Sequence, residues 1–216
     1  MAKINYTCSL GKICHSSEIL KKNMHKTCSY PFDWIFSNSK MIIDCLEDNF
    51  NIFLDKSYYI NISNKRCGHA YYNREIVNHY FRLNQVLFNH HNPLNNENDY
   101  NYYTRCVNRF RELLNCEESK LFIIININQD DVNEDQKNHI IEFNNKFSKY
   151  TKNYKLLFIY HIKNKPNNYH EFTHVDNIDF LVLHTLSHSN GVNFTKNNDN
   201  IYLNNIILKT YNFNVG

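Results

Sequence analysis

Four glycines and three prolines are few for 216 residues, and this scarcity leaves no material for a flexible linker between two modules. A single domain over residues 1–216 is the expectation. No stretch approaches the roughly 18 consecutive apolar residues of a membrane span. Met1 to Cys8 likewise lack the charged start and apolar core of a signal peptide. No membrane partner is expected, and the expected location is cytoplasmic, the host cytoplasm if the source is viral.

Charge of one sign is also missing. Twenty-four Lys and Arg stand against 21 Asp and Glu, scattered through the chain with no basic block, so no nucleic-acid partner is expected. The seven cysteines, Cys8, Cys14, Cys28, Cys45, Cys67, Cys106 and Cys116, form no CxxC pair, which argues against a zinc or dithiol motif and for free thiols. There is no GxGxxG or Walker pattern. No cofactor and no metal site are expected. What is abundant is Asn, Lys, Ile and Tyr, the bias of an AT-rich genome such as that of a virus or protist.

Hydrophobic patterning supplies the elements. Residues 3–9 read as a short strand that meets Leu10-Gly11, after which Ile13, Ser17, Leu20 and Met24 recur at helical spacing. Ser37-Asn38-Ser39 can cap a helix with Met41, Ile42, Cys45 and Leu46 inward. Residues 51–84 are aromatic and irregular and yield no assignment. Gln85–Phe88 reads as a strand that ends at Asn89-His90-His91-Asn92. From Tyr100 to Leu114, Tyr103, Cys106, Val107, Phe110, Leu113 and Leu114 share one helix face, with Arg105 and Arg109 opposite.

Leu121–Ile127 is a continuous apolar, β-branched run of the kind covered on both faces of a sheet. Asp131–Glu134 resembles a cap leading into Ile140, Ile141, Phe143 and Phe147, and Leu156–Ile162 returns as a strand. Ile178–His184 adds another strand. Asp199–Tyr211 reads as a final helix with Ile201, Leu203, Ile206, Ile207 and Leu208 inward. Alternating strands and helices predict an α/β fold of three layers, a mostly parallel sheet flanked by helices. A papain-like α+β fold is the alternative.

Cys14 falls where a strand and turn lead into a helix. Unpaired N–H groups there favour an anion, so a thiolate and an oxyanion hole are expected of the position. A buried small hydrophobe is the other reading of the same cysteine. Arg105 and Arg109 stand four apart on a helix face, where an anionic partner or a solvated face balanced by Glu112 would answer them. Asp33 and Trp34 follow Pro31-Phe32 in a turn that fits either a cap and plug or a site. His184 and His188 have metal-like spacing only if helical, and no carboxylate accompanies them.

Ser9-Leu10-Gly11-x-x-Cys14, then Tyr30-Pro31-Phe32-Asp33-Trp34-Ile35, then a helix ending Glu47-Asp48-Asn49-Phe50, resembles a family of putative papain-like cysteine peptidases found in bacteria and large DNA viruses. Phe88-Asn89-His90-His91-Asn92, Tyr103-x-Arg105-x-x-x-Arg109-Phe110 and Asp199-Asn200-x-Tyr202-Leu203 extend the resemblance over most of the chain. It implies a Cys14 nucleophile, His90 or His91 as its base, and Asp33 as a group that orients or holds something. Arg105, Arg109 and Trp34 would serve the substrate. The Cys-Gly-x-Cys-Trp signature of papain itself is absent, so the constellation is expected on a different scaffold.

The function expected is a cysteine-dependent hydrolase or acyl transferase, with peptide cleavage one option, acting on an unidentified protein or an anionic small molecule. Two other readings stay open. One is a non-catalytic α/β interaction module; the other is a nucleotide- or sugar-nucleotide-binding protein that uses a sheet edge and the two arginines.

Overall fold

The computed structural model describes residues 3–22, 26–72 and 86–214. The N-terminal half runs β1 (Lys3–Ile4), β2 (Tyr6–Ser9), α1 (His15–Lys22), α2 (Ser39–Glu47) and α3 (Asn51–Leu54). A 3₁₀ turn (Lys56–Tyr58) then leads into β3 (Tyr59–Ser63), β4 (Arg66–His69) and β5 (Val86–Phe88). Next come α4 (Glu97–Asn115), β6 (Lys120–Gln129), α5 (Glu134–Phe147) and β7 (Tyr154–Ile162). The chain closes with β8 (Tyr169–Val175), β9 (Ile178–His184), α6 (Asn197–Thr210) and β10 (Asn212–Phe213).

These elements make a mixed α/β fold whose sheets combine parallel and antiparallel pairs. The five-stranded sheet has the order β2-β6-β7-β9-β8. Its first four strands are parallel neighbours, and β8 lies antiparallel on the outer edge of β9. A three-stranded antiparallel sheet has the order β3-β4-β5, and β1 pairs β10 in parallel.

The apolar run of β6 is buried on both sides, as its composition requires. Phe122 and Ile124 join Leu156 and Phe158 of β7 in one core, with Met41 of α2, Phe110 of α4 and Phe143 of α5. Leu121, Ile123 and Ile125 join Leu157 and Ile159 in another, with Ile19 and Leu20 of α1 and Leu203 and Ile207 of α6. Each such side chain contributes about 1.5–3 kcal/mol when taken fully out of water. Parallel strands capped by helices carry their loops to the carboxyl edge of the sheet, and the β2–α1 loop bearing Cys14 emerges there.

Several elements differ from the sequence expectation. Helix α4 starts at Glu97 rather than Tyr100, because the Asn96 side chain accepts from the N–H groups of Asn98 and Asp99 at 2.9 and 3.4 Å. In α6 only Leu203, Ile206 and Ile207 of the five apolar residues are buried, while Ile201 and Leu208 are each 48% exposed. These two are seven residues apart and so share the opposite side of the helix. The 51–72 stretch folds as α3 and the β3–β4 hairpin. Its strand β3 buries only Tyr59 fully, so no apolar alternation marked it. Strand β8, exposed except at the half-buried Phe172, was hidden for the same reason. Met24 and Gln85, assigned to a helix and a strand from the sequence, lie outside the described residues.

Candidate active site

The turn after β2 is built by side chains that only the folded chain brings together. Gly11 has φ +83°, and a Cβ there would run into Ser37 Oγ, so glycine alone fits. The same Ser37 Oγ accepts from the Lys12 N–H at 3.1 Å and donates to the Leu10 carbonyl at 3.3 Å. Ser9 Oγ and Ser16 Oγ share a hydrogen bond of 2.6 Å that ties the end of β2 to the first turn of α1. The Cys14 carbonyl accepts from the Glu18 N–H at 3.0 Å, which makes Cys14 the N-cap of α1. Among the described residues, no hydrogen bond uses the backbone N–H groups of Ile13 or His15.

Residues 35–37 bridge this turn to the second sheet. Ile35 pairs with Phe88 of β5, and the Phe36 N–H donates to the Leu87 carbonyl at 3.0 Å. That strap carries the end of β5 past Cys14, and the Cys14 Sγ to His90 Nε2 distance is 3.6 Å, within the reach of a sulfur hydrogen bond. His90 Nε2 also lies 3.4 Å from Asn89 Nδ2. An amide donor there leaves Nε2 as the acceptor and the proton on Nδ1, the tautomer that can take a thiol proton. Asn89 Oδ1 is buried without a partner among the described residues.

The electrostatics run against a preformed ion pair. Burial pushes the Cys14 thiol up to about 11, opposed by its own backbone N–H and reinforced by Asp33. His90 is lowered by partial burial, then by His91 and Arg66. Burial thus opposes the thiolate expected from the helix N-terminus. Cys14 is only 4% exposed, and loss of hydration is the largest influence on its thiol.

Of the predicted site residues, Cys14 and His90 meet and the others do not join them. His91 turns to α4, with Nδ1 at 2.9 Å from Asp99 Oδ1 and its ring stacked on Tyr102. Asp33 is fully buried and makes no hydrogen bond to His90. Its Oδ2 accepts from the Tyr30 N–H at 2.7 Å and pairs with Lys26 Nζ at 2.6 Å. Burial raises the Asp33 carboxyl, and Lys26 is the main force holding it down. Lys26 also lies 4.7 Å from the centre of the Trp34 ring and donates to Ser17 Oγ of α1 at 2.5 Å. Asp33 and Trp34 thus brace α1 from behind.

Arg105 and Arg109 are exposed on α4. Arg109 borders a groove with Cys28, Tyr30, Glu112 and Cys116, and neither arginine contacts Cys14 or His90 among the described residues. All seven cysteines are free thiols. His184 closes β9 and stacks on Tyr169 at 3.8 Å between ring centres. No group of three metal-ligating side chains occurs among the described residues.

Sequence reasoning passed over the supports of the site. Beside Cys14, the His15 Nδ1 lies 2.8 Å from Ser189 Oγ, and both residues are buried. Asn128 exchanges two hydrogen bonds with the Ser189 backbone at 2.7 and 2.8 Å. Asp199 Oδ2 accepts from the N–H and Oγ of Ser187 at 2.9 and 2.5 Å. The one signal in the sequence was the Asp199-Asn200-x-Tyr202-Leu203 resemblance.

Residues 5–165 match the family model described as putative papain-like cysteine peptidase. The chain belongs to this family. No curated protein and no solved structure matches it. Cys14, Asp33, His90, Arg105 and Arg109 all lie within the segment shared with the putative papain-like cysteine peptidases. Ser189, which contacts His15 of α1, and Asp199, which holds Ser187, lie beyond it. Among the described residues, no helix is long and apolar enough to cross a membrane.

Proposed function

We propose that the protein is a cysteine-dependent hydrolase or acyl transferase in which Cys14 is the nucleophile and His90 the base. The 3.6 Å contact between Cys14 Sγ and His90 Nε2 carries this reading. His90 Nε2 takes the thiol proton as Sγ attacks an acyl carbon. The oxyanion then accepts from N–H groups at the start of α1, and His90 returns its proton to the leaving group. Water or a second nucleophile resolves the thioester, with His90 again as base. Because the resting pair is neutral, substrate must complete the activation by displacing water and presenting developing charge to those N–H groups. Asp33 acts in this scheme by holding Lys26 and α1 rather than by orienting the imidazole.

The three-layer reading of the sheet supports the same placement, with α2, α4 and α5 on one face, α1 and α6 on the other, and Cys14 at the carboxyl edge. A non-catalytic interaction module is favoured by one observation, the raised Cys14 thiol. Acyl-enzyme trapping separates the two readings. Incubation with activated ester and thioester donors, followed by intact-mass spectrometry, is expected to show a single acyl adduct on Cys14 that Cys14→Ala abolishes and His90→Ala slows. Absence of any Cys14 adduct selects the interaction module.

A further inference from the structure

A cavity of about 430 Å³ opens between the β2–α1 loop and the first turns of α2 and α5. Lys12, Asn38, Ser39, Asn133, Gln136 and His139 line it. Lys12 is the unusual member. Its ammonium donates to Asn126 Oδ1 at 3.3 Å, and among the described residues no carboxylate pairs with it. Burial lowers it to about 8, the behaviour of a cation whose lost hydration no counter-charge replaces. Asn126 is held in turn, since its Nδ2 donates to Gln136 Oε1 at 2.5 Å. Lys12 also sits at φ +60°, a conformation a lysine adopts at a cost that glycine would avoid.

Two other charged residues line the cavity, and neither pairs with this ammonium among the described residues: Lys40 is engaged with Asp44 at 2.8 Å, and Asp135 is exposed. The two helices present their amino ends, whose partial positive charge adds to that of Lys12.

We infer that this cavity is an oxyanion-binding site, centred on Lys12, that takes the phosphate or carboxylate group of a substrate. Lys12 is two residues before Cys14 in the same β2–α1 loop, so an anion held there would place its molecule on the loop that bears the thiol, although neither Cys14 nor His90 lines the cavity itself. That anchoring role rests on the proposed Cys14–His90 chemistry, whereas the capacity to bind an anion does not. The exposed Arg105 and Arg109 are then unnecessary for anion recognition.

Isothermal titration calorimetry of the full chain at pH 7 with inorganic phosphate, and separately with succinate, tests the site. Saturable binding of one anion per chain is expected for at least one probe, and the tighter probe identifies the substrate group. Cys14→Ala is expected to bind as wild type does. Lys12→Gly removes the ammonium while relieving the left-handed backbone. Gln136→Glu keeps an oxygen to accept from Asn126 and adds a negative charge. Both are expected to weaken binding roughly tenfold or more, the scale of a hydrogen bond to a charged group, and Lys40→Met to change it less than about twofold. No saturable binding of either probe, or binding that Lys12→Gly and Gln136→Glu leave intact, would overturn the inference. If anion binding persists as expected but Cys14 never forms an acyl adduct, the catalytic reading falls and the anion site stands.

Discussion

Cys14 Sγ and His90 Nε2, 76 residues apart in sequence, stand 3.6 Å apart across the gap between the two sheets. The adjacent His91 is committed to Asp99 at 2.9 Å, so the two neighbouring histidines make separate contacts. His90→Ala is expected to slow acyl-enzyme formation by about 10²–10⁴-fold, the usual worth of a positioned base. His91→Ala is expected to leave that rate within an order of magnitude and to lower stability by about 1–3 kcal/mol, because Asp99 loses a partner. Stopped-flow acylation and urea unfolding of both variants check the division. Equal acylation losses for both would sink it.

Burial of the Cys14 thiol makes a prediction about its reactivity. With the thiol raised to about 11, iodoacetamide should modify Cys14 more slowly at pH 7 than the partly exposed Cys28 and Cys116, and faster as pH climbs past 9. Peptide mapping by mass spectrometry reads the order. Selective Cys14 labelling below pH 7 would mean that a thiolate is present without substrate.

Gly11→Ala should be costly at a distance. Strain at φ +83° adds about 1–3 kcal/mol, and the new methyl group displaces Ser37 Oγ, which ties the Cys14 turn to the β5 strap. Loss of both stability and acylation is expected. In a double-mutant cycle Gly11→Ala and Ser37→Ala should be non-additive, since both act on one contact. Simple additivity in thermal unfolding would disprove the coupling.

Acid should unfold the protein through its buried histidines. Burial lowers His15 to about 3 and His161 to about 4. In the unfolded chain both titrate near the ordinary value of about 6.5. The depressed folded values mean that stability is full above pH 6.5 and falls as the unfolded state alone gains protons. The loss is about 1.4 kcal/mol per pH unit for each histidine, continuing down to pH 4 and, for His15, toward pH 3. Urea midpoints measured from pH 7 to pH 4 check the slope. His161→Gln, which retains a polar side chain for Thr185 and the Asn128 N–H, should flatten it.

The periodic and apolar segments were legible in the sequence because burial had written a pattern into them. Tyr103 to Leu114 marked one face of α4, and Leu121 to Ile127 marked a strand covered on both sides. Strands β3 and β8 were not legible, since an exposed hairpin is held by backbone hydrogen bonds that leave no apolar alternation. The final helix was visible but its inner face was misjudged at Ile201 and Leu208, where apolar residues face outward.

By itself the sequence determined that Cys14 follows a strand and tight turn into a helix, because Gly11 and the spacing of Ile13, Ser17 and Leu20 are local constraints on the backbone. Its resemblances pointed to a family described as putative papain-like cysteine peptidases and narrowed the partner expected for Cys14 to two histidines. Only the tertiary structure shows which of the two it brings to Cys14. His90 and His91 have the same chemistry and adjacent positions, and what separates them is the direction in which β5 delivers each ring. Tertiary structure also raised the Cys14 thiol, since its burial to 4% exposure depends on packing from distant segments that no local pattern records.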